Sequence, residues 1–545
     1  MGMNEVPDRM MVLRWGTLVV ALTLLNVSLT FRNIWPTLSV QLSSELSVEL
    51  AVCVLWLVFS WRWRRVSFLA TRGWLAVVWV VLVIGRYTEV TARALYGRDV
   101  NLYWDLRHLP DVGAMFAIVV QPWLVMALLA TMVFVTVLLY VTARWALNCV
   151  GDAINDRRTR YALCFLASGV LLLGVGQTVG TRLPEMIRFA EPVVPAYARE
   201  VRELVYEISG AGVRALGPPP VIRSDLARVH GADVFLVFLE SYGAVSWDNP
   251  ELAMSLVQSR ARFEDDINET GRTVVSAFVE STTFGGESWL AHISLLSGTE
   301  VRDQGTNVRL MAQERDTLVK VFGRQGYRTV ALMPGLVRGW PQGAFYGFDE
   351  VYDLAQIAYQ GPSFGWWDVN DQFALARVDA IEIEPQPRQP VFVFFPTITT
   401  HAPFVPTPPY QSDWARILTD TPYDAVDLDH AWSDYPDWLN LGPGYVKGLT
   451  YAHATVGGYL RLRADRDFVL ILVGDHQPSA FLSGEGASWN VPVHVIANRR
   501  GVLERLRQHG FTVGLAPQYP TVARMDTLLP LLLDAFGNSY AAASQ

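Results

Sequence analysis

Long apolar runs dominate the first 180 residues, and they restrict the fold of this chain more than any other feature. Hydrophobic residues make up 51% of the 545 residues, and the excess lies in this front part. Because a helix needs about 20 apolar residues to cross a bilayer core, five segments are predicted as membrane spans. They are residues 12–29, 48–61, 66–84, 114–141 and 161–179. The second is short, so an interfacial or re-entrant piece is its alternative. No small-residue cleavage pattern follows the first, which indicates a retained span instead of a signal peptide.

Arginine placement predicts how these spans are oriented. Arginines follow the second span and precede the fifth, and such loops face the cytoplasm. They are Arg62, Arg64, Arg65, Arg144, Arg157, Arg158 and Arg160. With five crossings, everything after residue 179 then lies outside, as does the loop 86–112. We therefore expect a multi-pass protein of the inner (cytoplasmic) membrane with an extracytoplasmic, periplasmic C-terminal domain. The net charge of -8 argues against a nucleic-acid partner.

The segment that follows the apolar region changes character. Ile187, Phe189, Val201 and Leu204 recur at helix-like spacing within residues 181–230. We expect an amphipathic linker whose helices lie on the membrane surface or against the next domain. The run GPPP at 217–220 breaks any helix and marks a boundary. The predicted domains are thus a transmembrane domain (1–180), a linker (181–230) and a catalytic domain (231–545).

Strand-like and helix-like runs alternate through the last part of the chain. Six strands are predicted at 234–239, 273–278, 329–333, 391–396, 468–473 and 491–496. Helices are predicted at 252–269, 318–325, 445–461 and 526–536. This alternation predicts an α/β domain with a mostly parallel central sheet and helices on both faces.

Two of the predicted strands end in side chains that can bind a metal ion. VFLVFLESYG (234–243) places Glu240 after six apolar residues, and FVLILVGDHQP (468–478) places Asp475 and His476 after another apolar run. Carboxyl ends of parallel strands meet at one edge of a sheet. Together these oxygen and nitrogen donors suit one divalent metal ion, zinc or manganese, better than calcium. Taken singly, each residue could equally be a helix cap or a solvated side chain.

A hydroxyl between these motifs is the candidate nucleophile. TFGGESWLAHISLLSG (283–298) places Ser288 after two glycines and at a predicted helix start, where an anionic substrate is favoured. A metal ion shared by Ser288 and the three ligands would lower the pKa of this hydroxyl. Ser288 as an ordinary N-cap is the alternative, and the two roles are compatible. His401 lies on a loop after a strand, and Arg338 and Trp340 lie on a Gly/Pro-rich loop that can hold a phosphorylated group.

These motifs resemble the alkaline phosphatase/sulfatase superfamily, and within it the membrane-bound transferases. That branch includes lipoteichoic acid synthases, phosphoethanolamine transferases and phosphoglycerol transferases. The resemblance gives Glu240 and the Asp475-His476 pair as metal ligands, and Ser288, ten residues before Gly298, as the nucleophile that also contacts the metal. It further implies that His401 binds substrate, with Arg338 and Trp340 near a substrate loop.

The chain also departs from the family pattern. The transferases usually have threonine as nucleophile, so Thr282 and Thr283 remain alternatives to Ser288. A formylglycine sulfatase has Pro or Ala and Arg where this chain has Leu290 and His292, which argues against that activity; His292 is expected to face the transferred group. Gln477-Pro478 follows the Asp-His pair, where many members have glycine.

The resemblance implies a metal-dependent transferase. It would move a phosphorylated head group from a membrane phospholipid donor to an envelope glycan or lipid acceptor, through a Ser/Thr-linked covalent intermediate. One alternative is a sulfatase-like hydrolase, either a phosphodiesterase or a sulfuric ester hydrolase. Another is a non-catalytic module that binds an envelope component.

Overall fold

A computed structural model describes residues 5–33, 40–62, 68–119, 122–178, 187–209, 216–365, 367–437, 440–484 and 486–538. Two compact units are present. The first draws its described residues from 1–94 and 98–213, and the second from 95–97 and 214–545. Parts of the predicted linker (181–186, 210–215) and positions 66, 67, 120, 121 and 179 of the predicted spans lie outside the described residues.

The first unit is built from seven helices and a two-stranded hairpin among its described residues. The helices are α1 (Glu5–Thr30), α2 (Val48–Arg62), α3 (Phe68–Tyr96), α4 (Leu102–Val119), α5 (Pro122–Ala153), α6 (Arg157–Thr178) and α7 (Val193–Ser209). The strands β1 (Arg32–Asn33) and β2 (Val40–Gln41) pair antiparallel. A shared core joins α1, α2, α3, α5 and α6.

Three of the five predicted spans correspond to helices long and apolar enough to cross a membrane: Arg72–Tyr96, Pro122–Ala153 and Arg157–Gln177. The first two predicted spans fall in shorter apolar helices, Arg14–Thr30 and Val48–Trp61. The fourth predicted span began too early, because residues 114–119 belong to α4. Helix α5 exposes apolar side chains along its length, as a lipid-facing helix does. They include Met126, Leu129, Met132, Val133, Phe134, Val137 and Val141.

The second unit is an α/β domain with a nine-stranded sheet. Its strands are β3 (Asp233–Leu239), β4 (Thr273–Glu280), β5 (Arg328–Leu332), β6 (Glu350–Tyr352), β7 (Val391–Pro396), β8 (Phe468–Gly474), β9 (Asn490–Ala497), β10 (Thr512–Val513) and β11 (Ala523–Arg524). The order is β10-β4-β9-β8-β3-β7-β5-β6, with β11 beside β4. Each predicted strand matches an observed one to within two residues at either end.

The sheet is mixed. Five neighbouring pairs are parallel and three are antiparallel, and all three antiparallel pairs involve β9 or β10. Hydrophobicity cannot reveal this reversal, since a buried strand is apolar in either direction. The central strands β3 and β8 are buried at every position because helices cover both faces.

Thirteen α-helices accompany this sheet in the described part of the second unit. They are α8 (Val245–Asp248), α9 (Pro250–Ser255), α10 (Val257–Glu269), α11 (Ser288–Ser297), α12 (Gln304–Met311), α13 (Leu318–Arg324), α14 (Leu354–Ile357), α15 (Asp371–Val378), α16 (Ala425–Trp432), α17 (Gly442–Leu462), α18 (Ala480–Ser483), α19 (Arg500–Gln508) and α20 (Met525–Phe536). Two apolar clusters form the core, one on each side of the sheet. The sheet therefore provides a rigid edge at which the ends of β3 and β8 meet.

Candidate active site

Glu240 lies directly after the central strand β3. Its backbone N–H donates to Thr397 Oγ1 over 3.1 Å, and its carbonyl accepts from Thr400 Oγ1 at 2.6 Å. Both threonines follow β7, the parallel neighbour of β3. The turn after one strand thus holds the backbone after the next, which fixes the direction of the Glu240 carboxylate.

Asp475 and His476 follow β8, the other parallel neighbour of β3. The register pairs Leu239 with Gly474, so Glu240 and Asp475 begin their loops side by side. Asp475 Oδ1 accepts from the backbone N–H groups of Ser241 at 2.8 Å and His476 at 2.7 Å. These bonds tie the two loops together at the carboxyl edge of the sheet.

The hydrogen bonds of His476 determine its tautomer. Nδ1 lies 2.7 Å from the carbonyl oxygen of Gln477, which can only accept, so Nδ1 carries the proton. Nε2 therefore presents a lone pair toward the acidic groups. It lies 3.5 Å from Glu240 Oε1 and 3.8 Å from Asp475 Oδ2. An imidazole fixed in this way by a carbonyl is the usual arrangement of a histidine that binds a metal ion.

Ser288 opens α11 and reaches the same cluster. Its Oγ donates to Glu240 Oε2 at 2.9 Å and lies 3.1 Å from His476 Nε2. The turn before it uses Gly285 and Gly286, whose φ angles of 69° and 152° suit glycine. The Gly285 N–H donates to the Gln477 carbonyl at 3.0 Å, so this turn is joined to the loop that carries His476. Ser288 is half-buried, and a substrate could reach it.

The two upstream threonines direct their hydroxyls elsewhere. Thr282 Oγ1 lies 3.3 Å from the Leu290 carbonyl and 3.2 Å from Ser294 Oγ, while Thr283 Oγ1 donates to the Gly286 carbonyl. Both side chains are buried, and their bonds stabilise the turn and the first helical residues. Ser288 is the hydroxyl of these three that contacts the acidic cluster.

Burial and mutual charge control the ionisation of the cluster. Burial, reinforced by the Glu240 carboxylate, raises the pKa of Asp475 well above its ordinary value. For Glu240 burial also acts upward, but the neighbouring His476 and His401 and the hydrogen bond from Ser288 bring its pKa below the ordinary value. Burial lowers the pKa of His476. Two buried acidic groups and a neutral imidazole therefore share one small space.

These donors fit a single divalent cation. One ligand atom from each of Glu240, Asp475 and His476 lies within 4.8 Å of the others, and all three residues are buried. Two carboxylates this close repel each other in a site of low dielectric, and a cation between them removes that repulsion. The mixed oxygen and nitrogen set suits zinc or manganese. The Ser288 hydroxyl is adjacent to two of the three ligands.

His401 and His292 occupy different surroundings. His401 is half-buried, its Nδ1 lies 2.8 Å from the Ala402 carbonyl, and its ring meets Trp367 edge to face at 5.6 Å. The preceding residue, Thr400, donates from Oγ1 to the Glu240 carbonyl, so His401 lies near the cluster. His292 is buried against Phe238, with ring centres 4.4 Å apart, and burial lowers its pKa to about 3. Its Nε2 has no hydrogen-bond partner among the described residues.

Arg338 and Trp340 lie on the loop after β5. Arg338 is exposed, and the half-buried Trp340 ring packs on Tyr346 at 5.2 Å. Across the described ranges, neither side chain makes a hydrogen bond with the Glu240 cluster. The structure thus brings Ser288, Glu240, Asp475 and His476 together, with His401 nearby, whereas Arg338 and Trp340 make no hydrogen bond to them among the described residues.

Sequence reasoning missed four residues that hold this site. Ser241 has a φ of 55°, and its Oγ donates to Glu240 Oε1 at 3.0 Å. The Tyr445 hydroxyl donates to the backbone carbonyl of Ser241 at 2.9 Å. Asp371 is buried and accepts from the N–H groups of Ile398 and Thr399, which shapes the loop before His401. The Gln477 side chain bridges Val245 N–H and the Ser488 carbonyl. Ser241 and Gln477 adjoin recognised ligands; nothing in the sequence distinguishes Asp371 or Tyr445.

Residues 250–496 match the family model described as Sulfatase, which confirms the predicted resemblance of this part of the chain. The match includes Ser288, Asp475 and His476, and begins shortly after Glu240. None of the curated proteins matches the sequence.

Several solved structures are similar to this chain. One is the integral membrane protein lipooligosaccharide phosphoethanolamine transferase A (EptA) from Neisseria meningitidis: 13% identity, covering 90% of this chain and 96% of that one, TM-score 0.44. Another is the lipoteichoic acid synthase LtaP from Listeria monocytogenes, with 14% identity, coverage of 62% and 78%, and a TM-score of 0.39. A third is the C-terminal periplasmic domain of EcEptC from Escherichia coli in complex with Zn, with 14% identity, coverage of 61% and 88%, and a TM-score of 0.37.

Proposed function

We propose that this chain, with its sulfatase-family domain, is a metal-dependent membrane transferase. It moves a phosphorylated head group from a phospholipid donor to an envelope glycan or lipid, through a covalent intermediate on Ser288. Glu240, Asp475 and His476 hold one divalent ion, zinc or manganese, and Ser288 contacts it. The protein is embedded in the inner membrane by several spans, and the catalytic domain lies on the periplasmic side.

One observation carries this proposal. The Ser288 hydroxyl lies 2.9 Å from Glu240 Oε2 and 3.1 Å from His476 Nε2, at the first residue of a helix and half-open to solvent. Glu287 is the N-cap of α11 and Ser288 is its first helical residue, so an ordinary capping role does not account for a serine beside two buried metal-type ligands. A nucleophile for phosphoryl transfer needs an activated oxygen, and a helix N-terminus favours an anionic substrate.

In the first half of the reaction, Ser288 Oγ attacks the phosphorus of the donor phosphodiester. The phosphorus–oxygen bond to the diacylglycerol breaks, the proton released by the Ser288 hydroxyl passes to the departing diacylglycerol oxygen, and the phosphorylated head group stays esterified to Ser288. A divalent ion held by Glu240, Asp475 and His476 would lower the pKa of the hydroxyl and polarise the phosphoryl oxygen. Glu240 orients the hydroxyl by accepting its hydrogen bond. The Gln477 carbonyl holds the His476 ring in the tautomer that leaves Nε2 free to bind.

In the second half, an acceptor hydroxyl attacks the same phosphorus. The bond to Ser288 Oγ breaks, and the proton of the acceptor passes to the departing serine oxygen. Half-buried His401, close to the cluster, is placed to contact the head group. His292 is proposed to face the transferred group. Arg338 and Trp340 are proposed to contact the substrate when it is bound.

A transfer assay tests the proposal. Full-length protein in proteoliposomes receives phospholipid labelled in its head group, with and without a candidate acceptor glycan, and bound metal is measured on the same sample. Ser288→Ala should retain metal and lose at least about 10³-fold in turnover. Wild-type protein quenched without acceptor should carry the label on the peptide that contains Ser288.

The same assay separates the alternatives. Release of labelled head group to water at an equal rate with and without acceptor would identify a hydrolase. A protein that binds no metal and turns over no donor would be a binding module. The family match gives the hydrolase a specific basis, but Leu290 and His292 stand where a formylglycine sulfatase has Pro or Ala and Arg, so a phosphodiesterase is the form to test.

A further inference from the structure

A charged cavity lies within the first unit, between the end of α3 and the start of α7. Its volume is about 620 Å³. Proline, valine and alanine side chains of residues 192–198 form one wall, and charged side chains form the rest. The charged residues are Arg86, Glu89, Arg93, Glu191, Arg199 and Arg202. Four guanidinium groups against two carboxylates make the lining basic.

Two of these arginines form no ion pair with a carboxylate in the part of the chain that the structure describes. Arg86 is 6% exposed, and its guanidinium donates to the carbonyls of Phe31 at 3.1 Å and Glu191 at 3.3 Å. Glu191 itself pairs with Arg93. Arg202 is exposed and makes no ion pair with any described residue. Carbonyl groups solvate a cation but do not cancel its charge, so a buried guanidinium of this kind favours a nearby anion.

The other two arginines are held in a network. Arg93 pairs with Glu89 at 2.8 Å and Asp99 at 2.5 Å, and Arg199 pairs with the same carboxylates at 3.0 and 3.2 Å. This network joins the end of α3 to α7. It occupies Arg93 and Arg199, which leaves Arg86 and Arg202 as the cations available to a ligand.

The position of the cavity along the helices identifies the ligand. The cavity extends from Arg86, near the middle of the candidate span Arg72–Tyr96, to Arg93, about one turn before its end. Long basic side chains extend from such positions toward the level of lipid head groups. Helix α7 exposes Val194, Val201, Val205 and Ile208, each more than half accessible and all on one face. An apolar stripe beside basic residues is the composition of a helix that lies in the membrane interface.

Close packing keeps α7 at this place. The Tyr197 hydroxyl donates to the Val81 carbonyl of α3 at 2.6 Å. Gly85 makes room for it, because a Cβ atom there would collide with the Tyr197 ring. The Val193 N–H at the start of α7 donates to Glu49 of α2. The cavity is thus a built feature of the unit and not a gap beside a loose helix.

We propose that this cavity binds the phosphate of a glycerophospholipid, with Arg86 and Arg202 on the phosphate oxygens and the acyl chains along the α7 stripe. Guanidinium groups bind phosphate oxygens with strong, charge-assisted hydrogen bonds. None of its lining residues belongs to the Ser288 centre, and its occupancy by lipid does not depend on what that centre catalyses.

Native mass spectrometry of the full-length protein in detergent tests this inference. Phosphatidylglycerol is titrated onto wild type, Arg202→Gln and the matched control Arg158→Gln, an exposed arginine at the start of α6. Arg202→Gln should weaken the first lipid-binding event roughly tenfold, the effect of one charge-assisted bond. Arg158→Gln should bind as wild type does. Equal lipid affinity in wild type and Arg202→Gln would overturn the site.

Two further ligands separate the sources of phosphate chemistry. Diacylglycerol, which has the chains without the phosphate, should bind at least tenfold more weakly, and inorganic phosphate should displace the lipid only at far higher concentration. If diacylglycerol bound with the same affinity as phosphatidylglycerol, the cavity would not recognise the phosphate. If equimolar inorganic phosphate displaced the lipid, the cavity would be a phosphate site and not a lipid site. Arg86→Gln, with its melting temperature measured alongside, should weaken binding beyond Arg202→Gln while the protein stays folded.

Discussion

Replacing Glu240 with glutamine should leave the metal-free protein at least as stable as wild type and make the metal-loaded protein less stable than wild type. Glutamine keeps the size of the side chain and removes its charge. In the metal-free protein, Glu240 and Asp475 are buried together, and the Glu240 charge contributes to the raised pKa of Asp475. Relief of that repulsion should leave the metal-free variant as stable as wild type, or more stable by about 1 kcal/mol, the value of roughly one pKa unit.

With metal the order should reverse. A ligand present at 100 times its Kd stabilises the folded state by about 2.7 kcal/mol. For the unit formed by residues 214–545, an unfolding entropy of about 2.1 cal/mol/K per residue converts this to a rise of roughly 4 °C in melting temperature. Glu240→Gln loses one of three protein ligands and should show little or none of this rise. Ser288→Ala keeps all three and should show most of it.

The assay is thermal unfolding of the full-length protein after chelation, followed by titration with zinc or manganese. Ser288→Ala serves as the matched control, because it alters the same cluster without removing a charged ligand. Stabilisation of Glu240→Gln by metal to the same extent as wild type would refute the site. So would a wild-type melting temperature that does not respond to either ion.

Further predictions concern the nucleophile, the topology, the buried histidines and the support of the site. Ser288→Thr should keep measurable transfer activity, whereas Ser288→Ala should lose it. Thr282→Ala and Thr283→Ala should lose less activity than Ser288→Ala. If either threonine variant abolished transfer while Ser288→Ala kept full activity, the nucleophile would be that threonine. A reporter active only in the periplasm, fused after Gly217, should be active, and a cytoplasmic signal would reverse the orientation. Burial lowers the pKa of His453 and of His494 to about 3. Below the ordinary histidine pKa of about 6.5 the unfolded chain binds more protons than the folded protein, so stability should fall as the pH drops, by about 1.4 kcal/mol per histidine at pH 5.5. An unchanged melting temperature between pH 7 and pH 5.5 would contradict the burial of these two histidines in the neutral form. Tyr445→Phe leaves the buried Ser241 carbonyl without its hydroxyl partner and should cost about 1–3 kcal/mol in a denaturant titration, whereas Tyr435→Phe, at an exposed tyrosine, should cost nothing measurable.

Several features could be predicted from the sequence because they depend on local composition. A long apolar run with few charges forms a helix wherever lipid surrounds it, and three such helices are present among the described residues. A short apolar run rich in valine and phenylalanine forms a buried strand, and all six predicted strands are present. Glu240 and the Asp475-His476 pair could be recognised because each stands where such a run ends, and a polar residue at that point has a limited set of uses.

Only the tertiary structure decided which of these residues meet. The pairing of β3 with β8 and its register bring Glu240 beside Asp475, and no local signal encodes a pairing between strands so far apart in the chain. The same holds for the reversed direction of β9, for the Tyr445 bond to Ser241 and for the cavity between α3 and α7. Each depends on contacts between distant segments, whose geometry follows from how the whole core packs and not from the propensity of any one segment.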